Sequence, residues 1–343
     1  MKHIHTLTGL RGLAALIVFI SHSANESVLP KILGYGFGQI GVMLFFVLSG
    51  FLMSHLYIHE EFNKENVRKF VLARIGRVIP LYFLLLIFSV VITRYISPES
   101  FFPFKFYNID EAVRALLLID AIYIFWTIPV EMQFYAVFIG FWALYKKGFD
   151  AYSLLAFILI TMVPSVLIYL ALSRLPNTVS TFSYAFFLGS ITALIFEKIR
   201  NNETILKGAN IVGIPALLLL FINLPVLRHH YGLELKSGIF FQTWGDPITW
   251  AIVYIIFICA VLNSRSVSIL NSKFLVHLGN ISYGFYLFHY PILMFFVKEV
   301  NINPLAKFIL AFIFAAAISH VSFYYFEMPI GRRIRNFGQS KSI

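Results

Sequence analysis

One cysteine, Cys259, stands in the whole sequence. A disulfide within the chain is therefore excluded, and so is a metal site built on cysteines. Charge is scarce too: Asp, Glu, Lys and Arg together make up 13% of 343 residues. A soluble domain carries about a quarter, so water is not the solvent of most of this surface. Lipid is, because a bilayer needs no charged side chains to solvate a helix. No cleavable signal peptide is evident, since the first apolar run holds Arg11 and His22 and lacks a small-residue cleavage pattern.

What is abundant fits that reading. Hydrophobic residues reach 59% and aromatics 17%, with a mean hydropathy of +0.81. The 38 Phe are compatible with lipid and the 18 Tyr favour its interfaces. A helix needs about 20 mostly apolar residues to cross the hydrocarbon core. Stretches that meet this need run roughly over 6–24, 38–59, 76–96, 130–146, 151–172, 180–197, 208–224, 248–263, 280–299 and 304–326. The seventh is interrupted by Pro215 and bounded by Pro225, and the eighth is short behind Pro247. The run from Ala112 to Phe125 holds Arg114 and Asp120 and reads as an interfacial or re-entrant segment. The expected fold is an all-α polytopic membrane protein of about ten transmembrane helices. It forms one membrane-embedded domain over 1–343.

The net charge of +11 would raise nucleic acid as a partner in a soluble chain. Here the charge lies in loops, where it sets orientation. With ten spans, 18 of the 27 lysines and arginines fall on the side of both termini. Both termini are therefore expected in the cytoplasm, and no nucleic acid partner is expected. The longest outer loops are Arg94 to Pro129 and Leu227 to Pro247.

Ionisable groups inside spans cost about 2.5–3.5 kcal/mol each on insertion scales, which makes them functional candidates. Arg11 and His22 share the first span. Eleven residues are close to three turns, about 16 Å along the axis and about 20° in azimuth. The two line one face at different depths. Alone, Arg11 is explained by snorkelling to the interface and His22 by an interhelical hydrogen bond; the spacing leaves function and structure both open. Ser49-Gly50 is a small pair suited to close helix packing. Arg74 and Arg77, at i and i+3, share a face and form a fork suited to phosphates, although without other motifs ordinary positive-inside loop charge is the favoured explanation. Glu131 lies at the outer end of the fourth span, one turn before Tyr135, and needs an arginine, a histidine or a helix N-terminus as partner. His289 stands near mid-span in ISYGFYLFHYP, where a lone histidine is more often a structural hydrogen bonder. Glu327 most simply pairs with a cytoplasmic-side arginine, and His320 is structural.

In order along the chain, these segments resemble the acyltransferase-3 family of membrane O-acyltransferases. The matches are Arg11-x10-His22, FFVLSGF from Phe45 to Phe51, Arg74-x-x-Arg77 with Pro80 and Tyr82, and Trp126 to Tyr135. Ile281 to Pro291 and Glu327-x-Pro329 complete the set. Two positions depart: Thr8 and Met43 stand where the family often has acidic residues. Members with a fused extracytoplasmic esterase-like domain continue much further, and no such domain is expected here. The resemblance implies transfer of an acyl group, usually acetyl, from cytoplasmic acyl-CoA to a hydroxyl of a glycan or glycolipid at the inner membrane. Acceptors that the resemblance implies include O-antigen and other lipopolysaccharide, exopolysaccharide and lipid-linked sugars, while some members modify antibiotics or lipo-oligosaccharide signals.

The chemistry this implies assigns roles. Arg11, Arg74 and Arg77 bind the polyanionic donor. His22 is the general base, since a neutral imidazole accepts a hydroxyl proton near pH 7, and Glu131 orients it as a third triad member does. An acyl-histidine route is the alternative. Ser49 and Tyr135 are candidate oxyanion donors; Trp126, His289 and Glu327 are candidate substrate contacts. No metal and no bound cofactor are expected, and acyl-CoA is a cosubstrate. A transporter or flippase of a lipid-linked sugar explains many helices and buried polar groups equally well. It does not explain an arginine fork together with the Arg11–His22 face.

Overall fold

The computed structural model of the chain describes residues 4–95, 102–172, 176–224, 227 and 243–337. All regular structure among them is helical. In chain order the helices are α1 His5–Asn25, α2 Phe37–Tyr57, α3 Lys64–Tyr95, α4 Ile109–Leu116, α5 Thr127–Lys146, α6 Ala151–Leu172 and α7 Val179–Leu194. There follow α8 Phe196–Arg200, α9 Glu203–Ile222, α10 Pro247–Val261, α11 Lys273–Asn280, α12 Ser282–Glu299, α13 Pro304–Ser322 and α14 Met328–Phe337.

Seven of these segments are long and apolar enough to cross a membrane, or eight if α10 and the Arg265–Asn271 turn, bent by 79°, form one span. The expected ten stretches all carry helices, but not all reach spanning length. The 16 residues of α7 rise about 24 Å, short of a hydrocarbon core about 30 Å thick. The helices differ sharply in what surrounds them. The apolar window of α1 is 72% buried within the protein, that of α6 only 11%, so α6 presents most of its apolar surface to lipid. Leu159, Ile160, Val163 and Leu167 are among its exposed side chains.

Prolines act as their positions dictate. Pro247 takes the first position of α10, where its missing N–H is no loss, and Asp246 caps that end by accepting from Thr249 N at 2.7 Å. Pro215 was expected to interrupt the seventh stretch, but α9 runs through it as one helix of 20 residues. A proline removes one hydrogen bond and kinks a helix, yet that is tolerated where neighbours re-satisfy the backbone. The segment around Arg114 and Asp120 does not span: α4 has eight residues, and Arg114 pairs with Asp110 at 3.8 Å and Asp120 at 3.7 Å. At the end of α5, Gly148 takes a positive φ of 76°, and the N–H of Phe149 returns to the carbonyl of Leu144 at 3.3 Å. This glycine stop uses the left-handed conformation that other residues resist. Most of the expected outer loop from Leu227 to Pro247 lies outside the described residues, as does Pro225.

The chain divides into two compact units, one of Met1–Leu48 with Ile195–His320, the other of Ser49–Leu194 with Val321–Ile343. In the first, α1 packs at backbone distance against α11 and against the Arg265–Asn271 turn that precedes it. A Cβ on Gly9 would meet the Leu270 carbonyl oxygen at 1.7 Å, one on Gly12 the Leu275 oxygen at 2.1 Å, and one on Gly279 the Thr8 oxygen at 1.8 Å. Small residues let membrane helices approach this closely. In the second unit the core is aromatic. Phe134 stacks on Phe186 with ring centroids 4.1 Å apart, and Phe138, Phe141 and Trp142 are fully buried around it.

Candidate active site

In the first unit, α1 carries both Arg11 and His22, one near each end. Arg11 donates to Ser282 Oγ at 2.9 Å, at the first residue of α12. His22 lies in the last turn of α1. Its ring stands 5.2 Å from that of His289 and 5.0 Å from that of Tyr290, centroid to centroid. Tyr290 donates to Glu26 Oε1 at 2.8 Å, and Glu26 caps the C-terminal end of α1. Two histidines, a tyrosine and a carboxylate thus gather at one end of α1. Of these, Tyr290 and Glu26 were not singled out from the sequence. Their signal was present: Glu26 is four residues from His22 and shares its helix face, and Tyr290 adjoins His289.

His289 is 1% exposed. Its Nδ1 lies 2.7 Å from the carbonyl oxygen of Tyr286 and 3.2 Å from that of Phe285. A carbonyl only accepts, so Nδ1 carries the proton and Nε2 holds a lone pair. That buried Nε2 has no hydrogen-bond partner among the described residues. Phe19 and Phe285 pack on the ring, at 6.2 and 6.1 Å.

In the second unit a different group forms around Glu131. Ser49 Oγ donates to Glu131 Oε1 at 3.0 Å, and Tyr135 Oη donates to the same oxygen at 2.5 Å. The carboxylate was expected to find an arginine, a histidine or a helix N-terminus; the partners found within its unit are two hydroxyls. Both hydroxyl protons are directed at the carboxylate, so the oxyanion role draws no support from this arrangement. Tyr135 also meets Arg74. The guanidinium carbon lies 5.9 Å from the Tyr135 ring centroid and 6.0 Å from that of Tyr57, within the range of cation–π attraction. Arg74 Nε is buried with no hydrogen-bond partner among the described residues, whereas Arg77, one turn on, is exposed.

The remaining candidates are placed as follows. Gly50 packs in the way small residues do, for a Cβ there would meet the Phe186 carbonyl oxygen at 1.8 Å; Ser49 beside it is the polar member of the pair. Trp126 is buried, 5.1 Å from the Phe182 ring, at the junction of the Tyr123–Trp126 turn with α5. Glu327 accepts from Ser322 at 2.9 Å across the π-helical turn Phe323–Glu327. His320 contacts His277, with Nδ1 3.3 Å from Nε2. Among the described residues no group of three or more His, Cys, Asp or Glu is arranged to hold a metal.

Comparison with known proteins gives a consistent picture. The acyltransferase-3 family model, described as an acyltransferase domain, matches residues 4–324. The chain is similar to the peptidoglycan O-acetyltransferase OatA of Listeria monocytogenes, 26% identical over 363 residues covering 96% of this chain and 56% of that protein. It is 24% identical to the O-acetyltransferase OatA of Staphylococcus aureus, covering 97% of this chain and 58% of that one. The putative peptidoglycan O-acetyltransferase YrhL of Bacillus subtilis is also 24% identical, covering 96% and 55%. The chain spans a little over half the length of these curated relatives. No solved structure matches.

Proposed function

The chain belongs to the acyltransferase-3 family, and from that premise we propose that it transfers an acetyl group from cytoplasmic acetyl-CoA to a hydroxyl of a cell-surface glycan. Peptidoglycan is the acceptor class that the relatives' names favour, ahead of lipopolysaccharide or a lipid-linked sugar. The protein works as a multi-pass component of the cytoplasmic membrane, with an even number of spans and both termini inside.

The observation that carries this reading is Arg74. A guanidinium close to two tyrosine rings, with a buried Nε that has no hydrogen-bond partner among the described residues, is preorganised for an anion. A planar fork matches phosphate oxygens, and Arg77 on the next turn adds a second. Acyl-CoA brings those phosphates.

The transfer then runs as a direct displacement. His22 takes the proton of the acceptor hydroxyl as its oxygen attacks the thioester carbonyl. The C–O ester bond forms, the C–S bond breaks, and the imidazolium returns the proton to the departing thiolate. Arg11, on the same helix, holds the donor at the opposite depth. Glu131 accepts from Ser49 and Tyr135 and holds both hydroxyls in fixed positions.

The test uses membranes containing the full chain, supplied with acetyl-labelled acetyl-CoA and soluble muropeptides. Release of free CoA thiol together with a base-labile label on the muropeptide is the expected result. Absence of thiol release from membranes that hold folded protein contradicts acyl transfer and favours the transporter.

A further inference from the structure

We infer that His289 is the positioning partner of His22: its Nε2 accepts a hydrogen bond from the His22 imidazole N–H, fixing the tautomer and stabilising the imidazolium during transfer. The inference rests on the reading of His22 as the general base. It assigns to an imidazole on α12 the orienting role that the family resemblance suggested for Glu131.

Three observations converge. The first is that His289 is anchored. Nδ1 donates to the Tyr286 carbonyl at 2.7 Å, which sets the ring's tautomer and leaves Nε2 as an acceptor. The second is that this acceptor is idle. A buried polar atom without a partner is uncommon and destabilising, and Nε2 of His289 is one of the few in the described residues. A purely structural histidine at this depth uses both nitrogens or is replaced by an apolar ring. The third is proximity. The His22 ring is 5.2 Å away, centroid to centroid. The same unit supplies a reference for that separation: His277 and His320, with centroids 5.1 Å apart, have ring nitrogens 3.3 Å from each other. A small rotation of the half-buried His22 ring therefore suffices to close an N–H···N bond to the fixed one.

Chemically the pair is a triad without a carboxylate in the third place. When His22 takes the acceptor's proton it becomes an imidazolium with two N–H groups. One faces the reacting oxygen and later the departing sulfur. The other needs an acceptor that does not itself leave, and a backbone-anchored Nε2 provides it. His289 does not touch the reacting atoms; it acts through His22.

His289→Phe keeps an aromatic ring against Phe19 and Phe285 but removes the acceptor. His289→Gln restores an acceptor oxygen near the position of Nε2. With His22 active in the wild type, His289→Phe should lower kcat for muropeptide acetylation by about 10² or more while leaving the KM for acetyl-CoA near wild type, since misdirecting a base's tautomer is costly. His289→Gln should recover part of that loss. In the His22→Gln background, adding His289→Phe should cost nothing further, because residues acting as a unit are not additive. Wild-type kcat in His289→Phe overturns the inference, as does an added loss in the double variant or a loss that follows the amount of folded protein. Retained activity in His22→Gln alone overturns instead the general-base reading on which the inference rests.

Discussion

The hydroxyl of Tyr135 donates to Oε1 of Glu131 at 2.5 Å, one turn back on the same helix. Its ring at the same time covers Arg74. Tyr135→Phe separates the two roles, since the ring stays and the donor goes. A hydrogen bond to a carboxylate contributes about 1.5–3 kcal/mol, so if Glu131 organises the site, kcat should fall roughly tenfold or more. Donor affinity, which rests on the ring, should change little. Steady-state kinetics of acetyl-CoA turnover check this; a raised KM with unchanged kcat contradicts it.

Arg74→Lys and Arg77→Lys keep charge but lose the planar fork. Both should raise the apparent KM for acetyl-CoA with protein still present in the membrane. Arg74 should show the larger effect, because an ammonium does not stack between Tyr57 and Tyr135 as a guanidinium does. Unchanged kinetics in both variants would return these residues to the role of topology determinants.

The glycine contacts make a stability prediction independent of function. Gly50→Ala drives a methyl into the Phe186 carbonyl, and Gly279→Ala into that of Thr8. Overpacking of this kind costs about 1–3 kcal/mol, so both should melt at lower temperature in detergent. Gly208 in α9 has nothing within 4 Å of an added Cβ, and there the better helix former should be neutral or stabilising by up to about 1 kcal/mol.

Apolar length was enough to locate the long helices, because hydrocarbon thickness imposes it on any sequence. That is why α1 and α6 lie where composition puts them. Partners were less legible. Glu131 finds Ser49, 82 residues away in sequence, and no periodicity links two helices that distant. The apposition of His22 and His289 is hidden for the same reason: each reads alone as a structural histidine. Pro215 misled because a proline removes one hydrogen bond and kinks a helix without ending one that is otherwise long and apolar. The Ser49-Gly50 pair was legible only in half, with Gly50 packing as small residues do and Ser49 turned to the carboxylate. The ordered motif set did reach the family, since the order of many weak motifs carries more than any one of them.

Orientation is tested by labelling. The asymmetry of Lys and Arg predicts that Asn108 lies outside and the chain ends inside. In a Cys259→Ala background, Asn108→Cys should react with an impermeant maleimide on intact cells. Asn336→Cys, on the exposed end of α14, should react only after permeabilisation. The reverse pattern would move the acceptor to the other side and overturn the assignment of depth.

The most direct test of the account is the acetyl-transfer rate of His22→Gln, measured on membranes with matched amounts of folded protein. The amide retains hydrogen bonding but is no useful base, and removal of a general base costs about 10²–10⁴ in rate. Muropeptide acetylation should fall by that factor, with acetyl-CoA still bound. A variant that keeps most of the wild-type rate would contradict the general-base role of His22.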